Sequence, residues 1–149
     1  MMKLTDLLYN DILISAFIAW AVAQVLKTII FAVQNGRLDW DRLFGDGGMP
    51  SAHSALVVAA ATTCALNFGL ASPEFGISAV LALVVLHDAS GVRLESGKQA
   101  KAINTMIEVL KKSSNVDNIQ YLKELLGHTP IQVFFGSLLG IAIAVLYSL

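Results

Sequence analysis

Two histidines occupy equivalent settings in this chain of 149 residues, each beside glycine and proline where an apolar run begins. The first lies in Gly47-Gly48-Met49-Pro50-Ser51-Ala52-His53-Ser54, ahead of Leu56 to Ala71. The second lies in Gly127-His128-Thr129-Pro130-Ile131-Gln132, ahead of Val133 to Leu149. A helix N-terminus presents unpaired N–H groups and the positive end of the helix dipole, so both places suit an anion. An imidazole at each adds a group able to attack a centre or move a proton near neutral pH. Together they point to acid/base or nucleophilic chemistry on a phosphate-like group.

Part of each motif has a purely structural explanation. Thr129 fits the N-cap, Pro130 the first helical position and Gln132 the third position of a capping box, which leaves His128 unexplained. Ser51 fits an N-cap that places His53 and Ser54 in the first turn of the next helix. Lys27 is a charge inside the first apolar run, with Gln24 three residues earlier on the same helix face. Such a lysine faces a polar cavity or partner, or else snorkels to the interface. His87-Asp88-Ala89-Ser90-Gly91-Val92-Arg93 closes the third apolar run, and there His87 reads as structural. Asp88 and Arg93 either pair locally, or Arg93 holds phosphate oxygens through its planar fork. The polar loop from Asn35 to Gly48 carries Gly36, Gly45, Gly47 and Gly48 and can bend close to a ligand. No Cys/His metal-ligand spacing, Walker loop or dinucleotide loop is present, so neither a metal nor a cofactor is expected. Cys64 stands alone, makes no intrachain disulfide and reads as a small packing residue.

The elements that must position these groups are apolar helices. The chain is 56% hydrophobic and 14% charged, with a mean hydropathy of +0.68, well outside the soluble range. Apolar residues bunch into Ile12–Val33, interrupted by Gln24 and Lys27, then Ala52–Ala71, Phe75–Leu86 and the uncharged Ile131–Leu149. The first and last runs reach the roughly 20 residues that span a bilayer, and the third is short for that task. The fold expected is all-α: one domain over 1–149, a small transmembrane bundle of about four membrane helices plus an amphipathic interfacial helix. That last helix is Ser96–Lys112, with Ile103, Met106, Ile107 and Leu110 at helical spacing among Lys98, Lys101, Glu108, Lys111 and Lys112. A polar break at Ser113 to Asn118 and a short helix over Ile119–Leu126 follow.

Charge placement orients the bundle. The net charge of −1 gives no field for nucleic acid. Eight of the ten Lys/Arg fall in two loops, Arg37 and Arg42 in the first and Arg93, Lys98, Lys101, Lys111, Lys112 and Lys123 in the second. The positive-inside rule then puts both loops and both histidine motifs in the cytoplasm and the termini outside. The first apolar run follows acidic Asp6 and Asp11 and is too long for a signal-peptide core, so no cleavable leader is expected. Gly136 and Gly140 form a small-x-x-x-small pair that serves either packing within the chain or a homodimer.

The stretch Gly48-Met49-Pro50-Ser51-Ala52-His53-Ser54-Ala55, with Gly127-His128-Thr129-Pro130-x-x-Val133-x-x-Gly136-x-x-x-Gly140, resembles the type-2 phosphatidic acid phosphatase superfamily. The likeness is closest to its divergent branch of small membrane proteins related to acid phosphatases and vanadium-dependent haloperoxidases. Asp88-x-x-Gly91-Val92-Arg93-x-x-x-Gly97-x-Gln99-Ala100 and Asn104 also fit that branch. The resemblance covers roughly Gln24 to Gly140. It implies an integral membrane phosphatase acting on a phosphomonoester or pyrophosphate, most plausibly of a lipid. In that reading His128 forms a phosphohistidine, and His53 protonates the leaving oxygen. Lys27, Arg37, Arg93, Asp88, Ser51 and the amides of Gly47 and Gly48 line the substrate. The chain departs from the superfamily pattern at four places: Ala52 stands for a glycine before His53, and Gln34 stands where an arginine is usual, with Arg37 nearest. Tyr121-Leu122 stands for Ser-Arg, and Gln132 for an aspartate that orients the histidine. Gln132 can accept a hydrogen bond from the His128 ring but lacks the charge, which Asp88 could supply instead. The alternative reading is a catalytically weak or inactive membrane protein that binds phosphate headgroups or scaffolds a partner. A bacterial plasma membrane and a plastid-type membrane both fit.

Overall fold

The computed structural model describes residues 4–40, 48–113, 120–122 and 127–149, so Arg42, Gly47 and Lys123 lie outside the described residues. A short 3-10 turn, Leu4–Tyr9, leads into α1 (Asp11–Asn35), followed by α2 (Ala52–Phe68), α3 (Pro73–His87), α4 (Arg93–Ser113) and α5 (Pro130–Tyr147). Four of these helices begin where a polar side chain caps them: Asn10 for α1, Ser51 for α2, Ser72 for α3 and Thr129 for α5. The α5 cap is the full capping box, with Pro130 in its first turn. α1 ends at Gly36, whose φ of 65° is the left-handed conformation open to glycine. The fold is all-α, and no strand occurs among the described residues.

α2 is the centre of the bundle, packed by α1, α3 and α5. Its core is built from small residues: Ala19 and Ala23 of α1, Ala52, Ala55 and Ala59 of α2, and Ala144 of α5 are all buried. Small side chains let backbones approach, and Gly136 and Gly140 take this furthest. A Cβ on Gly136 would lie 2.4 Å from the Ser51 carbonyl oxygen, and one on Gly140 would lie 2.5 Å from that of Ala55. The same contacts show that α2 and α5 run parallel, with their N-termini together. The glycine pair is therefore buried within the chain, and a second copy would have to meet α5 elsewhere. Inside the bundle Ser15 and Thr63 share a 2.7 Å hydrogen bond between hydroxyls. At the opposite end the Tyr147 hydroxyl donates to Asp11 Oδ1 at 3.1 Å, tying the end of α5 to the start of α1.

The outer faces are apolar and uncovered: Phe17 and Val33 on α1, Ile77 and Leu83 on α3, and Phe134 and Leu146 on α5 are exposed. Contiguous apolar surface of this kind is matched to lipid rather than to water. Among the described residues, three helical runs are long and apolar enough to cross a membrane: α1, the run beginning with α3, and α5. α2, at 17 residues, falls below the length of those spans; at 1.5 Å per residue it is about 25 Å long, and its neighbours shield it from lipid.

Two expectations change. The third helix does not end at His87: a π turn, Asp88–Val92, joins α3 to α4 without a break, so the amphipathic helix starts at Arg93 rather than Ser96. The polar residues after Leu86 mark a change of surroundings, not a helix end. The short helix expected over Ile119–Leu126 is not seen at Gln120, Tyr121 and Leu122, which are non-helical; the rest of it lies outside the described residues. Asn104 holds this segment: its Nδ2 donates to the Leu122 carbonyl at 2.9 Å, and its Oδ1 accepts from the Leu122 N–H at 2.8 Å. Lys111 lies over the Tyr121 ring, 4.6 Å from its centroid. Asn104→Ala removes both bonds and strands two backbone groups, a loss of about 2 kcal/mol. Chymotryptic cleavage at Tyr121 should accelerate in this variant while the helical content stays unchanged.

Candidate active site

The ends of α1, α2, α3 and α5 that carry the polar motifs meet at one end of the bundle, where they line two cavities. The first has a volume of about 240 Å³ and is lined by His53, Val84, Val85, Asp88, Ala89, Arg93 and His128. The second, about 300 Å³, is lined by Lys27, Ile30, Phe31, Gln34, Gly48, Met49 and Gln132. The residues expected to form one site are thus divided between two.

His53 and His128 face each other in the first cavity, ring centroids 6.4 Å apart and planes at 74°. The parallel packing of α2 and α5 explains this meeting, since it brings two helix starts side by side. His128 is buried, 6% exposed, and its backbone N–H donates to the carbonyl of Ala89 in the π turn at 3.2 Å. His53 sits in the first turn of α2 and is exposed. The ring centroids lie 6.4 Å apart and both rings line the same cavity, so one bound group can touch both.

Asp88 and Arg93 stand at opposite ends of the π turn and close on each other. Arg93 Nε donates to Asp88 Oδ2 at 2.6 Å, with the side chains 55% and 39% exposed. The local-pair reading of these residues therefore holds, and both still line the histidine cavity. An exposed pair of this kind contributes little to stability, so its place in the cavity is the more informative fact. The Asp88 carboxylate is the acidic group lining the cavity that holds both imidazoles.

Several expected ligand groups are placed elsewhere. Ser51 is fully buried, and its Oγ accepts from the Ser54 N–H at 3.3 Å and the Ser54 hydroxyl at 2.8 Å. Its N–H donates to the Gln132 carbonyl at 3.1 Å. It caps α2 and fastens α2 to α5, and lines neither cavity. Gln132 is committed to the capping box, where its Oε1 accepts from the Thr129 N–H at 3.0 Å; a cap at that spacing wins over a bond to the His128 ring. The caps also consume the N–H groups of Ser54, Thr129 and Gln132. The first-turn amides of Ala52 and His53 are not used by the cap of α2. Lys27 and Gly48 share the second cavity, the lysine stem lying where a Gly48 Cβ would come within 3.0 Å of Lys27 Cγ and Cδ. Lys27 is 5% exposed, and Gln24 Oε1, one turn away, is buried with no hydrogen-bond partner among the described residues. Arg37 is exposed beyond the end of α1 and lines neither cavity. Among the described residues no cluster of three His, Cys, Asp or Glu could hold a metal ion.

Ala89 and Gly127 were missed by sequence reasoning. Ala89 carries no signal beyond its place after Asp88. Gly127 had one, a glycine directly before the histidine.

The Divergent PAP2 family matches residues 8–143. The Uncharacterized membrane protein YuiD of Bacillus subtilis (strain 168) is 42% identical over 146 residues, which cover 91% of this chain and 92% of that protein. No solved structure matches. Both motifs, the π turn between them and most of the bundle fall inside the matched region, and the chain belongs to the divergent PAP2 family of membrane proteins.

Proposed function

We propose that the protein is a membrane phosphatase whose His53–His128 cavity hydrolyses a phosphate ester or pyrophosphate of a lipid. The observation that carries this reading is two imidazoles facing each other across one cavity that also holds Arg93. Val84 and Val85 form an apolar wall on the α3 side of the same cavity, and Val84 is exposed on the flank of the bundle. An amphiphile can therefore set its phosphate against both rings with its chain along α3.

In the first step the lone pair of a His128 ring nitrogen attacks phosphorus. A P–N bond forms while the P–O bond to the lipid breaks, and His53 gives its proton to the departing oxygen. In the second step His53 takes a proton from water, the hydroxide attacks phosphorus, and the P–N bond breaks to release inorganic phosphate. Burial suits the role of His128, because a nucleophile must be held in place. Exposure suits His53, because the leaving group and the water both reach it from outside. Arg93 and the positive ends of two parallel helices stabilise the charge on the equatorial oxygens. Asp88 stands where it can support a cationic imidazole, the part Gln132 does not take.

The positive-inside rule applied to the basic loops supports a cavity at the cytoplasmic headgroup layer with the termini outside. Purified protein in nanodiscs is expected to release phosphate from at least one lipid phosphate in a screen, and orthovanadate should block it. A screen in which no lipid phosphate is turned over contradicts the proposal. A second reading, a headgroup-binding protein without turnover, draws on the engagement of Gln132 in its cap and of Arg93 with Asp88. Lipid binding that survives His128→Ala but is lost in Arg93→Ala, with phosphate released by neither the parent nor the variants, would favour it.

A further inference from the structure

Capping accounts for Thr129, Pro130 and Gln132, but not for how the backbone just before them is held. That backbone rests on the first residues of α4, directly after the π turn. A Cβ on Gly127 would lie 2.3 Å from the Leu94 amide nitrogen, 2.5 Å from the Arg93 carbonyl carbon and 2.7 Å from the Leu94 Cα. Every one of these is a main-chain atom, so no side-chain rotation relieves the overlap. One residue on, the His128 N–H donates to the Ala89 carbonyl from outside the helix. Ala89 is itself buried. The π geometry is visible in the Arg93 N–H, which donates five residues back to the Asp88 carbonyl. A π turn inserts a residue into a helix and shifts its carbonyls, and such turns occur often at functional sites.

We infer that Gly127 is a positioning residue for His128, and that the π turn Asp88–Val92 is the seat on which it is held. The same five residues that offer Ala89 to His128 also set Asp88 and Arg93 against each other. One backbone unit thereby fixes the distance between the buried imidazole and the charged pair. Only glycine fits at 127, because the backbones touch there. The activity consequence rests on the proposed phosphatase reading, while the positional statement does not.

Gly127→Ala should lower kcat on the order of a hundredfold, as expected for a reacting group displaced by about an ångström. KM should change less than kcat, since the α2 N-terminus keeps its place. Carbethoxylation by diethyl pyrocarbonate, mapped by peptide mass, reads the histidine position without any turnover. His128 should react slowly in the parent beside exposed His53, and severalfold faster in Gly127→Ala at unchanged helical content. Deletion of Gly91, which returns the π turn to α-helical register, is the second variant and should expose His128 in the same way. Its expected effect does not depend on added bulk at 127. If both variants leave the His128 labelling rate at the parent value, the inference is overturned. If the labelling shifts while the parent releases no phosphate, the positioning stands and the phosphatase reading fails.

Discussion

Replacing His128 by alanine is expected to remove phosphate release at least on the order of a thousandfold, to the level of the detergent blank, because the attacking nitrogen is gone and nothing in the cavity replaces it. His53→Ala is expected to cost less, on the order of a hundredfold to ten-thousandfold, the range for losing a positioned proton donor. The order of the two effects is the informative part. It follows from the buried, backbone-anchored setting of His128 and the exposed first-turn setting of His53. A leaving group of low basicity needs no proton, so first-turnover release of the phenol from an activated aryl phosphate should narrow the deficit of His53→Ala and leave that of His128→Ala unchanged. First-turnover release of the leaving group from a natural lipid phosphate and from an aryl phosphate, with folded protein matched by helical content, checks both statements. Equal deficits for the two variants on both substrates would show that the roles are wrongly divided.

The second large effect is on stability. Gly136→Ala drives a methyl group into the Ser51 carbonyl, the acceptor that starts the hydrogen-bonding of α2 through Ala55 N–H. Neither backbone can yield without parting α2 from α5, and overpacking of this kind costs about 3 kcal/mol. In a chain of this size that lowers the thermal midpoint by roughly 10 °C. Gly140→Ala meets the Ala55 carbonyl and the Ala59 nitrogen in the same way and should act similarly. The two positions lie on one interface, so their effects should combine with less than full additivity. Thermal unfolding followed by circular dichroism in one detergent decides the point. Midpoints within a degree or two of the parent would mean that the helices are farther apart than described. The comparison with Gly127 is useful, because a clash between α2 and α5 strikes the whole bundle whereas one at 127 strikes the seat of a single histidine.

Local rules made the helix starts readable. Ser51, Thr129 and Gln132 are recognisable as caps because each satisfies an N–H that a helix start leaves unpaired, and Pro130 because it has no N–H to leave unpaired; the structure uses them so. The small-x-x-x-small pair reads as a close-approach face because only small residues allow one, but that its partner is α2 shows only in the fold. The meeting of the two histidines followed from pairing these two helix starts. What stayed hidden depends on distant backbone. The π turn has no local signature: Asp88-Ala89-Ser90-Gly91-Val92 reads as a polar break, and the continuing helix shows only in the fold. Gln132 could be read as a cap or as a partner of the His128 ring, and the Thr129 N–H is the donor its Oε1 accepts from. The division of Lys27 and Gly48 from the histidines follows from which face of α1 packs on α2 and α5, and helix spacing alone does not choose between neighbouring faces.

Orthovanadate adopts the geometry of phosphorus at the midpoint of transfer, so its place in the folded protein reads the central claim directly. In an experimental structure of the protein with orthovanadate, vanadium should be bonded to a ring nitrogen of His128, with His53 within hydrogen-bonding reach of an apical oxygen and Arg93 beside the equatorial ones. Vanadate seated instead in the Lys27 cavity, or failing to bind at saturating concentration, would contradict it.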